Sequence, residues 1–588
     1  MRELIETKEK LCTGCNRCIR ECPLELANIT YLDDHGDIKV KVDHKKCVMC
    51  GRCIAVCKHG ARHYEDDTER FFDDLSKGIP ISIMAAPAIR SNIPEYKRLF
   101  TYLKECGVNK IYDVSLGADI CTWAHIRYIE KNGELPMITQ PCPAIVTYCQ
   151  IYHHELLDRL SPVHSPMACT SVFMKKYEGI KDRIAAISPC VAKAVEFEET
   201  GVAQYNVTFK KLLEYMENKG IASGDKETDF DHYESSIGSL YPMPGGLKEN
   251  IEFYTGEKFN ISKSEGFHVY KNLNAYAETP RDQLPDIFDV LNCQDGCNYG
   301  TASLHDKTVF EINNAMKKAR ESAKNNRDKE YFEELFKKYD ETFDITHFLR
   351  KYHPIDSVVP NITEGNIESA YMLLDKTNYE KQHIDCGACG SETCYGMARK
   401  VALNVNIPIN CMAKVRDDAQ ELASKDPLTN AFNRRSFLEL SYGQIDRMNR
   451  ANAKGYICIF DLDYFKKIND TYGHLAGDKV LQEISLRVKE AIRPYDLLGR
   501  YGGEEFILFV FEIDDEAIFD AIDRIRLKIC TSPVIFEDKE IWVSSSFGVA
   551  SALNVDMNTA IKRADDALYK AKEAGRNKVV LHGVETKK

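Results

Sequence analysis

The sequence predicts a multidomain chain of α/β and α+β segments, and three observations carry that expectation. Sixteen of the 22 cysteines fall into four spaced groups, strand-length apolar stretches alternate with helix-length polar ones from about residue 78, and Gly-Gly-Glu-Glu-Phe stands at Gly502–Phe506. With 588 residues and 44% apolar content, the chain has room for three or four domains with cores of their own. A net charge of −12 without a basic stripe argues against nucleic-acid binding as the main task. No run of about 18 apolar residues occurs, and Met1–Lys10 is charged rather than signal-like. A cytoplasmic protein with no membrane partner is expected. In a reducing cytosol, so many cysteines point to metal ligation rather than disulfides.

Residues 1–66 hold the one internal duplication. Cys12, Cys15, Cys18 and Cys22 are spaced C-x2-C-x2-C-x3-C, and Cys47, Cys50, Cys53 and Cys57 repeat the spacing. Three thiolates on one tight loop hold three corners of a cubane, and the fourth ligand comes from the other run. This assigns Cys12, Cys15, Cys18 and Cys57 to one [4Fe–4S] cluster and Cys22, Cys47, Cys50 and Cys53 to a second. Zinc would need four ligands per site but leaves the recurring C-x3-C unexplained. The segment resembles bacterial two-cluster ferredoxins, which implies their fold.

In residues 78–350, the apolar stretches Ile81–Ala85, Met137–Thr139, Ile184–Ile187 and Phe288–Leu291 read as strands. Strand candidates run into Cys142, Cys190, Cys293 and Cys297, and open α/β sheets collect ligands at the carboxyl ends of strands. Isolated buried cysteines otherwise act as small hydrophobes, the reading for Cys106, Cys121, Cys149 and Cys169.

Ala86-Pro87-Ala88-Ile89-Arg90, Ser115–Asp119, Pro141–Ala144, Pro189–Lys193 and the Cys293–Cys297 loop resemble the catalytic domain of [FeFe] hydrogenases. The resemblance implies that Cys142, Cys190, Cys293 and Cys297 hold the [4Fe–4S] part of an H-cluster, with Cys297 bridging to a diiron unit carrying CO and cyanide. It implies that Lys193 hydrogen-bonds a cyanide and that Ala86 and Pro87 line the diiron pocket. It also exposes departures. Pro141 stands where efficient family members have a proton-donating cysteine, and His125 and Tyr128 stand for two relay glutamates. The relay serine is retained as Ser161, and flanking methionines correspond to Ser188 and Leu291. Proline has no exchangeable proton, so hydrogen turnover is expected to be slow, with His125 able to pass protons through water. The pattern is similar to that of sensory hydrogenases.

Residues 304–350 are charged with helical periodicity and read as long surface helices. In residues 365–412, Cys386, Cys389, Cys394 and Cys411 are spaced C-x2-C-x4-C-x16-C, with Gly387 and Gly390 allowing close backbone approach and Tyr395–Asn404 helical. Four thiolates also suit zinc, which stays open. The group resembles the small [4Fe–4S] module that accompanies sensory hydrogenase-like proteins, and its place before the output segment favours an electron relay. Residues 413–424 read as a helical connector that could pair across a dimer.

Residues 425–588 carry Asp426-Pro427-Leu428-Thr429-Asn430, Asp461–Lys466, Asn469-Asp470, Gly477-Asp478, Gly502–Phe506 and Gly575-Arg576-Asn577. Tyr456–Phe460 reads as a buried strand delivering Asp461 and Asp463, and Gly502-Gly503 as a hairpin turn raising Glu504 and Glu505 to meet them. Carboxylates on adjacent strands can hold Mg²⁺, which binds a triphosphate and acidifies an attacking hydroxyl. These landmarks resemble the GGDEF family of diguanylate cyclases. By that resemblance Asp461, Glu504 and the Leu462 carbonyl bind Mg²⁺, and Glu505 assists the 3′-hydroxyl. Asn469 and Asp478 read guanine, while Lys466, Lys572 and Arg576 neutralise phosphates. Arg493 and Asp496 form the R-x-x-D inhibitory site that binds cyclic di-GMP. The resemblances together imply a homodimeric sensor enzyme making cyclic di-GMP from two GTP, with hydrogen and a redox partner as candidate inputs. A catalytic hydrogenase with a regulatory nucleotide domain, or an iron–sulfur redox sensor without the diiron unit, are the alternatives.

Overall fold

The computed structural model describes residues 3–583 except 140–141, 222–224, 233–236, 325–328, 358–359 and 452. The chain divides into two compact units, Met1–Cys411 and Met412–Lys588.

The first unit opens with two small antiparallel sheets, Ile5–Thr7 with Arg62–Tyr64 and Asn28–Leu32 with Ile38–Val42. The sequence duplication is a structural one. Each cysteine run leads into a four-residue helix, Arg17–Arg20 and Arg52–Ala55, entered from a left-handed residue, Asn16 (φ 59°) and Gly51 (φ 75°). Two parallel sheets follow. The four-stranded one has the order Val108–Asp113, Ile81–Ala85, Arg183–Ser188, Tyr205–Thr208; the three-stranded one runs Ile261–Glu265, Ile287–Leu291, Met137–Thr139. Their central strands are covered on both faces and mainly apolar, each carrying one buried polar residue, Ser82 and Asp289. Ile81–Ala85 and Ile287–Leu291 are buried at every residue. The helix Val114–Asn132 is nearly as enclosed, with 14 of its residues buried.

The charged stretch after residue 304 forms the helices Val309–Lys324 and Lys329–Thr342. They are more than surface helices. Leu335, Phe336 and Tyr339 enter the main core, and Ile312 and Met316 pack with Ile237 and Leu240. The segment bearing the last four cysteines adds the helices Glu364–Leu373 and Cys394–Ala402, the first held by a capping box at Thr363 and Asn366.

The second unit begins with the helix Met412–Ser424 and builds a six-stranded sheet. The order is Phe432–Asn433, Leu497–Gly502, Glu505–Phe511, Gly455–Leu462, Ser545–Ser551, Val579–Leu581, antiparallel at the centre and parallel at both edges. Apolar cores lie on both faces, one around Phe460, Phe506 and Phe547 and the other around Phe437, Ile459 and Phe509. Gly455–Leu462 is buried at all eight residues.

Candidate functional site

In the first unit, strands of both parallel sheets end at one cavity. Ile81–Ala85 delivers Ala86 and Pro87, Arg183–Ser188 delivers Cys190, and Ile287–Leu291 delivers Leu291, Asn292 and Cys293. Cys142, Cys297 and Lys193 line the same space, whose walls are otherwise mainly apolar. Burial raises the Cys293 thiol well above its ordinary value, and the charges of Cys297, Cys190 and Cys142 raise it further. Burial likewise brings Cys190 up to about 11 and Cys297 up to about 12. Four neighbouring, half-buried thiols that each resist deprotonation suit cationic iron, which takes the place of their protons. The residues fit the cubane part of such a cofactor.

Lys193 does not stand alone at the cavity wall. Its ammonium donates to Ser165 Oγ at 3.0 Å and to the buried Glu196 at 2.5 Å. Arg350 backs Glu196 at 3.8 Å and donates to Glu199 at 2.7 Å. Glu196 is held below the usual carboxylate range, burial being outweighed by Lys193 and Arg350. Sequence reasoning missed Glu196 and Arg350. The spacing from Lys193 to Glu196 is one helical turn, but Arg350 arrives from far along the chain.

The second cysteine run forms part of the same cavity wall, through Met49 and Cys50. The Cys50 carbonyl accepts from Thr301 Oγ1 at 2.8 Å and Asn292 Nδ2 at 3.4 Å, and that amide also lies 3.6 Å from Cys293 Sγ. Gly51 is required here, because a Cβ at this left-handed position would lie 2.0 Å from Thr301 Cγ2. Cys47, Cys50 and Cys53 all feel the charge of Cys22, while Cys18 feels that of Cys12 and Cys15. Cys57 ends the turn after the second helix, its N–H donating to Ile54.

Left-handed residues recur beside the cysteines: Gly14 and Asn16 around Cys15, Met49 and Gly51 around Cys50, Asp295 and Gly296 before Cys297, Asp385 and Gly387 around Cys386, and Gly390 after Cys389. Alternating right- and left-handed residues turn successive N–H groups toward one point, a concavity that accepts anionic sulfur. Cys389 is raised by burial and then by Cys411 and Cys386, so three of the last four cysteines are neighbours. Cys394 Sγ accepts from the Asp385 N–H at 3.4 Å, which ties it to the same loop. Among the described residues, no three His, Cys, Asp or Glu side chains gather around a single ion position.

The relay positions are only partly joined. His125 Nε2 and Ser161 Oγ are buried and 2.9 Å apart. Tyr128 instead donates to Glu134. Ser188 bonds Asn206 and the Cys190 backbone, shaping that loop, whereas Leu291 lines the cavity. Pro141 lies outside the described residues. Cys149 is a buried thiol as expected, but Cys121 and Cys169 are not plain hydrophobes. Both donate to the His164 carbonyl, at 3.3 and 3.4 Å, and Cys121 Sγ is 3.6 Å from His125 Nδ1.

In the second unit, Asp461 and Glu505 are directly paired across adjacent antiparallel strands. Gly502 pairs with Glu505, so Gly503 and Glu504 form the two-residue turn, with Gly503 at φ 48°. The turn therefore lies one residue later than Gly502-Gly503, and Glu504 sits at its tip. Burial raises Asp461, and Glu504 and Glu505 raise it further against the pull of Lys572, 3.0 Å away. Three crowded carboxylates and one lysine suit a divalent cation with a phosphate chain. Leu462, the last residue of that strand, is buried beside them.

Asp463 has a different task. It accepts from Ser544 Oγ and Ser546 Oγ at 2.7 Å each and from the Asn577 N–H at 3.0 Å, so it ties the neighbouring strand and the Gly-Arg-Asn turn together. Arg576 in that turn stacks over Tyr464 at 4.7 Å. Lys466 is exposed on the helix Phe465–Tyr472 that follows. The Asn469 amide lies over Gly477, where a Cβ would meet it at 1.9 Å, and this brings Asn469 beside the Gly477-Asp478 step. Sequence reasoning also missed Arg500, which donates to the Gly503 carbonyl at 2.9 Å and to Asp426 at 3.1 Å.

Arg493 is exposed, donating to Tyr495 OH at 3.0 Å, whereas Asp496 is buried. Asp496 accepts from the Arg493 N–H at 2.9 Å and the Phe511 N–H at 3.1 Å. The two residues of the R-x-x-D motif thus differ: one presents a free guanidinium edge to solvent and the other closes the turn.

Comparison with known proteins agrees with this division. Residues 11–61 match the 4Fe-4S dicluster domain, residues 79–301 the C-terminal domain of the iron only hydrogenase large subunit, and residues 423–578 the diguanylate cyclase GGDEF domain. Response regulator PleD of Caulobacter vibrioides is 42% identical over 175 residues, 28% of this chain and 37% of PleD. Diguanylate cyclase A of Treponema denticola is 37% identical over 167 residues, 27% of this chain and 45% of that protein. The chain spans less than half the length of either. A crystallised active GGEEF domain of a diguanylate cyclase from Vibrio cholerae is 30% identical, covering 26% of this chain and 98% of that one, with a TM-score of 0.25.

Proposed function

We propose that this chain is a diguanylate cyclase governed by an iron–sulfur sensor that contains an H-cluster-like site. The observation that carries the output half is the pairing of Asp461 with Glu505, with Glu504 at the adjoining turn and Lys572 against Asp461. In this reading Asp461, Glu504 and the Leu462 carbonyl hold Mg²⁺, which when bound screens the triphosphate and lowers the pKa of the attacking 3′-hydroxyl. Glu505 accepts that hydroxyl's proton, while Lys466, Lys572 and Arg576 neutralise phosphate charge. Asn469 and Asp478 hold the guanine edge. Two such sites, one in each protomer of a dimer, present two GTP to each other. Each 3′-hydroxyl attacks the α-phosphate opposite, forming cyclic di-GMP and releasing two diphosphates.

In the sensor half, Cys142, Cys190, Cys293 and Cys297 hold a cubane whose diiron partner would carry CO and cyanide beside Lys193. Such a cofactor supplies reversible hydrogen and electron chemistry. The protein's own part is to exclude water with apolar walls, hold the Lys193 side chain in place against Glu196, and pass protons through His125 and Ser161. Pro141 leaves the last proton step without a side-chain donor, which favours a sensing role over rapid turnover. The Cys22–Cys47–Cys50–Cys53 site, reached through Cys50 and Asn292, carries electrons away.

Incubation of the protein with GTP and Mg²⁺, with chromatography of the products, tests the output. Cyclic di-GMP should form with wild-type protein and fall by at least two orders of magnitude with Glu504→Ala or Asp461→Ala. Undiminished product from either folded variant would refute the assignment.

A further inference from the structure

The last four cysteines lie on a segment that packs directly on the stretch carrying the first cysteine run. Arg20 donates to the Gly387 carbonyl at 3.1 Å, and Arg399 Nε grips both oxygens of Glu25 at 2.8 and 2.9 Å. A Cβ at Gly390 would meet the Asn16 carbonyl at 3.2 Å, so the two backbones touch there. Leu26, Leu403 and Val405 seal the contact with a small apolar core.

The packed segment also carries Lys400, on the last turn of the helix Cys394–Ala402. Its Nζ donates to the Gly390 carbonyl, the residue after Cys389, at 3.2 Å. Burial of this half-buried ammonium lowers its pKa, while Glu25, Cys389, Cys22 and Glu392 favour its charged form. Arg399, the adjacent cation, is already paired to Glu25. Lys400 is thus a positive charge fixed within reach of one thiol from each of two groups.

We propose that Lys400 is a cation shared by two one-electron sites, Cys22–Cys47–Cys50–Cys53 and Cys386–Cys389–Cys394–Cys411, and favours the reduced state of both. The proposal rests on the reading of both groups as [4Fe–4S] sites. Reduction adds one negative charge to a cluster, and a fixed cation in a low-dielectric setting stabilises that charge. In transfer between the sites, one cluster is oxidised by one electron and the other reduced by one, with no bond broken and no proton moved. The initial electron comes from a low-potential one-electron donor. Lys400 touches no reacting atom and is a positioning residue.

The test uses the full chain, anaerobically reconstituted with iron and sulfide, with dithionite as reductant. Iron, zinc and acid-labile sulfide are counted first, and EPR-monitored redox titrations follow for wild type, Lys400→Met, Lys400→Arg and a distant control, Lys77→Met. With iron content unchanged, Lys400→Met should lower the reduction equilibrium constant of two clusters by at least tenfold, about 59 mV for a one-electron couple. The remaining clusters, Lys400→Arg and Lys77→Met should stay at wild-type values. If Lys400→Met loses iron, Lys400→Gln, neutral but still able to donate to Gly390, replaces it. Unmoved potentials in iron-loaded neutral variants, or an equal shift of every cluster, overturn the shared-cation role and leave the cluster assignment standing. Zinc in place of iron at the last four cysteines overturns that assignment, and the proposal with it.

Discussion

Arg493 and Asp496 sit three residues apart and do unlike work. The Arg493 side chain is exposed, whereas Asp496 receives two backbone N–H groups inside the fold. Arg493→Ala should therefore abolish inhibition by cyclic di-GMP while leaving thermal stability unchanged. Asp496→Ala leaves two donors unsatisfied and should cost about 1–3 kcal/mol. Product-inhibition curves alongside melting curves separate the two; unchanged inhibition in Arg493→Ala would show the motif to be coincidental.

Asp289 offers a second test at this scale. Burial pushes its carboxyl up to about 6, partly offset by the Lys248 N–H, His125 and Lys263, with Glu265 opposing. An unfolded aspartate titrates near 3.9. Between those values the folded chain keeps a proton that the unfolded chain has lost. The group's contribution to stability is thus full below about pH 4 and is lost as pH rises through about 6. Asp289→Asn, neutral throughout, should melt above wild type at pH 7–8, with the gain vanishing near pH 4. A gain independent of pH would contradict the burial account.

At the scale of elements, the docking of the helix Arg52–Ala55 against the cavity depends on one missing Cβ. Gly51 is left-handed, which costs about 1–2 kcal/mol for other residues, and alanine there would overlap Thr301. Gly51→Ala should lower the melting temperature, and Thr301→Gly should recover part of the loss in the double variant. Strict additivity of the two changes would mean that the segments are not packed as described.

Elements also mark what was readable in advance. The strands Ile81–Ala85 and Met137–Thr139 emerge with the bounds that their short, mainly apolar stretches suggest, every residue of both being buried. The first, second and last cysteine groups were legible because their members are close in sequence, whereas Cys142, Cys190 and Cys293 are far apart and come together only at the strand ends. Arg350 behind Glu196, Thr301 over Gly51 and Arg500 against Asp426 were not, since each pairs residues far apart in the chain. Asp463 stands at the end of the same strand as Asp461, and its sequence position alone gave it no role. Only the position of Ser544, Ser546 and Asn577 reveals it as a tie.

At the scale of the whole molecule, cluster-bearing and nucleotide-binding segments share one chain, and the helix Met412–Ser424 begins on the residue after Cys411. In the proposed function, the state of the first unit sets the rate of the second. The direct measurement is cyclic di-GMP formation from GTP by fully matured protein, anaerobically, under hydrogen and under argon. The account predicts rates that differ several-fold between the two gases, with the difference lost in Cys142→Ser. Equal rates in matured protein whose clusters hydrogen has reduced would contradict it.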